Sequence, residues 1–111
     1  KTKVLIPNVD KIDKLKFFEE DIFNVSKKYF NFFDIIRVSN LLNYSYFSEA
    51  KLKKAVINLK KISKENSIIL VNRTPNNTKK NSASFFRKRK GKFELIEDIN
   101  GGSEIKELML N

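Results

Sequence analysis

Phe33-Asp34-Ile35-Ile36-Arg37-Val38-Ser39-Asn40-Leu41-Leu42-Asn43-Tyr44-Ser45-Tyr46-Phe47 is the stretch from which the fold follows. Phe33, Ile35, Ile36 and Val38 form a short run rich in β-branched side chains, the pattern of a strand covered on both faces. Ser39-Asn40 comes next, where the chain leaves the carboxyl edge of a sheet, and in open α/β sheets the ligand crevice lies at that edge. Ser48 is then an N-cap and Glu49 suits a positive helix start. Ala50, Leu52, Ala55, Val56, Leu59 and Ile62 recur at three- and four-residue steps, which is one apolar helix face. Lys51, Lys53, Lys54, Lys60 and Lys61 fill the opposite face and are expected to lie in water. Ser67 to Asn72 reads as a second buried strand. Strand, crossover helix and strand make a right-handed βαβ unit with parallel strands.

Length and composition bound the rest. The chain has 111 residues, enough for one small domain, and 41% hydrophobic residues, enough for a core. It has no cysteine, hence neither disulfides nor a thiolate metal site. It has no histidine, which removes the commonest general base and metal ligand. No apolar run is long enough to span a bilayer and no secretory signal leads the chain, so a cytoplasmic setting is expected. The first residue is Lys1 rather than Met, as in a trimmed chain or a piece of a longer one. The net charge of +10 invites a polyanion partner. Lysine far outnumbers arginine, however, and rises together with Asn, Ile and Phe. That mix reads first as a compositional bias, with lysines on solvated faces.

On the amino-terminal side, Val4-Leu5-Ile6 is closed by Pro7, which lacks a donor and is expected to end any strand there. Asn8 to Asp13 reads as loop. Leu15 to Glu20 is a strand candidate running into Asp21-Ile22, and an Asp at that place is a turn residue or a polar contact to a ligand. Val25 to Phe32 has room for one helical turn.

On the carboxyl-terminal side, Arg73 to Asn81 is loop by composition. Ser82–Lys90 and Lys92–Ile99 pair as an antiparallel hairpin turning near Gly91. Seven basic residues and no acidic one fall from Lys79 to Lys92, around Phe85 and Phe86. Basic and aromatic side chains interleaved in this way suit a single strand of nucleic acid, so a small basic nucleic-acid-binding module using residues 79–92 is an alternative reading. The simpler expectation is a solvated hairpin tip with both phenylalanines in the core. Asn100-Gly101-Gly102 is a turn, and Ser103 to Leu110 a short strand or helical turn.

The order of these elements resembles the carboxyl-terminal half of a class I S-adenosylmethionine-dependent methyltransferase. The likeness is strongest over Phe33-Asp34-Ile35-Ile36, Ser39-Asn40-Leu41-Leu42-Asn43-Tyr44 and Tyr46-Phe47, which look like the corresponding stretch of chemotaxis-receptor-type and related bacterial enzymes. The ending, Phe85-Phe86-Arg87 through Gly102-Ser103-Glu104-Ile105, resembles some bacterial members too. The resemblance implies a partial Rossmann-like α/β sheet over residues 1–111, with S-adenosylmethionine as cofactor. It implies cofactor contacts by Asp21 and Ile22 near adenine and by Ser39 and Asn40 near the methionine end, with no metal and no nameable catalytic base. The family's glycine-rich turn is absent: Gly91, Gly101 and Gly102 are the only glycines, and they come late in the chain. The chain would therefore hold the third to seventh strands of the family and lack the first two. These would lie between 15–20 and 33–38, leaving 33–38 as an exposed apolar edge open to a missing amino-terminal half or a second chain. In the family's order the last strand inserts inside the penultimate one. The reading is a truncated or split methyltransferase, inactive alone.

Overall fold

The computed structural model describes the backbone of residues 3–8, 16–74 and 81–111, with side chains described over 21–74 and 81–111. Six strands, β1 (Lys3–Asn8), β2 (Lys16–Asp21), β3 (Phe33–Ser39), β4 (Ser63–Arg73), β5 (Ser82–Arg89) and β6 (Lys92–Ile99), form one open sheet in the order β2-β1-β3-β4-β5-β6. Helix α1 (Glu49–Ile62) joins β3 to β4, which run parallel, and a short α2 (Lys106–Leu110) ends the chain. The other pairings are antiparallel. This is an α/β mixed sheet built on one βαβ crossover.

The helix forms where its periodicity places it. Ser48 caps it by accepting from the Lys51 amide at 3.3 Å. Its stripe Leu52, Ala55, Val56, Leu59 and Ile62 is buried against Ile36, Val38, Ile69, Val71 and Phe86 of the sheet. Burying each large aliphatic or aromatic side chain in that layer is worth roughly 1.5–3 kcal/mol. The helix runs into β4 without a loop. Ser63 closes it with its backbone N–H and its hydroxyl on the Leu59 carbonyl, the latter at 2.7 Å. A 3-10 turn at Lys27–Tyr29 fills the segment expected to hold one helical turn.

Several sequence expectations are corrected. Pro7 does not end its strand: β1 runs through to Asn8 with Pro7 opposite Phe17, giving up only its own donor to the ladder. The gap expected between residues 15–20 and 33–38 is filled by β1, antiparallel to both neighbours. Residues 33–38 are thus not an exposed edge; β2 and β6 are the edges. The closing hairpin is ordered opposite to the family pattern, with β5 against β4 and β6 outside. The tight Lys90-Gly91 turn, at φ +52° and +73°, lays β6 directly beside β5. Finally, β4 begins at Ser63 rather than Ser67. The loop reading of Asn8 to Asp13 lies outside the described residues from position 9, as do Lys79 and Lys80.

Candidate functional site

The carboxyl ends of β2, β3 and β4 share one rim of the sheet. Asp21 pairs in register with Lys3 and Arg37 with Leu5, so the ends of β2 and β3 lie level, one strand apart. Across the parallel ladder Ser39 is opposite Asn72. The turn after β2 and the corner after β3 therefore stand along one edge, as their positions in the sequence require.

Each of the four residues implied as cofactor contacts has a defined place there. Asp21 is half-buried and its Oδ1 accepts from the Phe23 amide at 3.0 Å, an Asx turn. Ile22 is wholly enclosed in the core, and its carbonyl accepts from Asn58 Nδ2 at 2.7 Å. At position 22 the rim thus offers neither side chain nor carbonyl. Ser39 is exposed; its Oγ accepts from Arg37 Nε at 2.9 Å and donates to Asn72 Oδ1 at 2.7 Å. Asn40 is exposed at φ +56°, a conformation Asn tolerates better than most residues. Its amide donates to the Asn72 carbonyl at 2.8 Å and its Oδ1 accepts from the Thr74 amide at 2.6 Å. The corner is thereby tied to the end of β4 through backbone and side chain. Arg37, near the end of β3, is exposed and bonded to Ser39.

Sequence reasoning missed the groups that complete this rim. Glu104, from the turn after β6, takes Arg73 Nη1 at 3.0 Å and the Tyr44 amide at 3.1 Å on one oxygen. It thus joins three separate segments of chain. Beside it a cavity of about 190 Å³ is lined by Asn72, Arg73, Ser82, Ser103 and Glu104, with Leu42 and the two glycines of the turn. That is below the range of roughly 300–1,000 Å³ that encloses a drug-sized ligand. Nothing local in the sequence marks Glu104, because its partners lie 31 and 60 residues away.

The basic run from 79 to 92 is divided by the strand pleat. Phe86 is buried in the core, whereas Phe85 faces the other side of the sheet with Leu70 and Arg37 in its row. Lys88 is buried, and its Nζ donates to the Lys60 and Ser63 carbonyls at 2.6 and 2.7 Å. It neutralises the negative end of α1. Loss of hydration holds its pKa below the ordinary 10.5, against the opposing pull of Glu65 and with Lys60 adding to the decrease. Arg87 bonds the Asn66 carbonyl, Arg89 pairs with Glu94 at 3.5 Å, and Glu65 takes the Lys90 and Gly91 amides. Arg87 and the Glu65 bonds tie the hairpin to β4, the Arg89–Glu94 pair lies within the hairpin, and Arg89, Lys90 and Lys92 are exposed at its tip. The period-two alternation from Phe86 to Lys88 was the available signal for the buried lysine.

Among the described residues no group of three or more His, Cys, Asp or Glu converges on a metal position, and no helix is long and apolar enough to cross a membrane. No protein-family model, no curated protein and no solved structure matches the chain.

Proposed function

We propose that this chain is a methyltransferase-like sheet that supplies one wall of an S-adenosylmethionine pocket and is inactive without the other wall. One observation carries the reading: the ends of β2 and β3 stand on the same rim, with the Asp21 turn and the Ser39-Asn40 corner beside a parallel βαβ crossover. A cofactor lying along the carboxyl edge of such a sheet would meet both turns.

The residues present fit part of that task. S-adenosylmethionine, when bound, brings its own electrophilic methyl group, so the protein's share is orientation and exclusion of water. The absence of His and Cys is no obstacle to it. Asp21 is the polar group of the first turn, while Ile22 supports that turn from inside the core. Ser39 and Asn40 hold the corner in shape through Asn72 and Thr74, and Asn40 at positive φ aims the chain away from the sheet. A glycine-rich turn, through which backbone approaches a nucleotide closely, has to come from elsewhere. The partner this reading calls for is a segment that carries such a turn and approaches the rim from outside the sheet, since β1 fills the place between β2 and β3.

Titration calorimetry tests this. The chain alone is expected to show no micromolar affinity for S-adenosylmethionine. Mixing it with a separate segment that carries a strand and a G-x-G-x-G turn should create binding, weakened by Asp21→Ala. Micromolar binding by the chain alone would refute the claim of incompleteness. Failure of every such pairing to bind would remove the methyltransferase reading.

A further inference from the structure

The exposed side of helix α1 is basic. Helix α1 contains five lysines and a single carboxylate, Glu49, which pairs with Lys53 at 3.6 Å. The 3-10 turn extends the basic surface of α1. The Asn31 and Phe32 amides donate to the Lys61 and Ile62 carbonyls at 2.8 and 3.0 Å, which joins the segment that follows the turn to the carboxyl end of α1; Lys27, Lys28 and Lys61 are all exposed. Lys54 is exposed two turns back along the same helix.

Aromatic rings stand at both ends of this surface. Phe30 is 38% exposed, with the Lys61 ammonium 5.8 Å from its ring centre. At the other end Tyr46 is 65% exposed beside Phe47, whose ring centre lies 5.9 Å from the Lys51 ammonium. From Lys51 to Lys61 the helix spans ~15 Å.

We infer that this face binds single-stranded nucleic acid, with the lysines on phosphates and Phe30 and Tyr46 as platforms for bases. An anionic membrane is the poorer fit. The apolar stripe that α1 would insert is already packed on the sheet, leaving Ile57 as the one large aliphatic residue exposed on the helix. This surface shares no residue with the rim at Asp21, Ser39 and Asn40, so the inference stands independently of the methyltransferase reading.

Fluorescence anisotropy of a labelled oligouridylate against the whole chain provides the test. Binding should be saturable at low salt, and log K should fall linearly with log salt at a slope of about −0.7 per phosphate contact. The K28Q/K54Q/K61Q variant changes only exposed side chains. It should keep the wild-type circular dichroism, lose at least ~10-fold in affinity and flatten the slope by about 2. Tyr46→Ser should lose affinity about fivefold with the slope unchanged, because stacking releases no counterions. R89Q/K90Q/K92Q, on the hairpin tip, should bind as wild type. The inference is overturned by absence of binding at low salt, by a lysine triple variant that binds normally, or by a hairpin variant that loses more than it. Equal competition by phosphatidylserine vesicles or by polyglutamate would also overturn it.

Discussion

The Ser39 hydroxyl donates to the Asn72 amide oxygen across 2.7 Å and clamps the carboxyl ends of the two parallel strands together. The Asn40 amide repeats the clamp on the Asn72 carbonyl, and the Asn40 side chain reaches the Thr74 amide. A parallel pair diverges at its ends unless something holds it, and here a polar corner does so in place of apolar packing. The residues best placed to meet a ligand at this rim are thus also those that give the rim its shape.

Asn40 should separate these contributions. Asn40→Gly keeps access to positive φ and loses the bond to Thr74, whereas Asn40→Ala loses both. Urea unfolding should rank wild type above Asn40→Gly, and Asn40→Gly above Asn40→Ala by about 1 kcal/mol less the added backbone entropy of glycine. Equal stability of Asn40→Ala and wild type would show that the corner is held some other way.

Lys88 should govern stability in alkaline solution. Lys88→Met removes the donor to two helix-end carbonyls and should cost about 1–3 kcal/mol at neutral pH. The sign of the pH dependence follows from burial. The folded pKa lies below the unfolded 10.5, so at alkaline pH the unfolded chain binds more protons than the folded one. Stability of the wild type relative to Lys88→Met should therefore rise with pH between the lowered folded value and 10.5. A gap that narrows across that window would contradict the burial of a charged amine.

Asp98 acts at the acid end of the scale, where stability again rises with pH. Hydrogen bonds from Lys106 at 2.7 Å and from Ser84 at 2.7 Å hold its carboxyl below the ordinary 3.8. The stability it provides is complete above 3.8 and is lost as pH falls through the folded value. The advantage of wild type over Asp98→Asn should thus be present at neutral pH, disappear in acid, and shrink with added salt. An advantage independent of pH would assign the effect to shape.

Gly102 should be far less replaceable than Gly101. Both have positive φ, +80° and +88°. A Cβ at Gly101 meets open space, while one at Gly102 would overlap the Asp98 carboxylate and lie 2.8 Å from Ser84 Oγ. Gly101→Ala should cost only the backbone term, about 1–2 kcal/mol. Gly102→Ala should cost more, because it also displaces the Asp98–Ser84 pair and the bond from the Ser103 amide to Ser84 Oγ. Thermal melts of the two variants decide it, and equal costs would mean that Asp98 moves aside freely.

Local pattern determined much of this protein. The apolar run at 33–38, the Ser48 cap, the three- and four-residue spacing of α1 and the turn at Gly91 are short-range signals, and each yields its element where the pattern lies, although the strand at 33–38, read as covered on both faces, leaves Arg37 exposed on the face away from α1. The βαβ crossover follows from them, since a helix between two buried strands packs back in one hand. Tertiary structure alone decided which strand covers the amino-terminal side of β3, which strand of the hairpin touches β4, and that the inward-facing Lys88 meets the end of a helix. It also decided that Glu104 ties Tyr44 and Arg73 together at the rim. These are contacts between segments far apart in the chain: strand pairing uses backbone donors and acceptors that every residue carries alike, and Lys88 and Glu104 meet partners that only folding brings within reach. The identity of a side chain therefore does not announce them, and only the closed arrangement of strands selects the pairings.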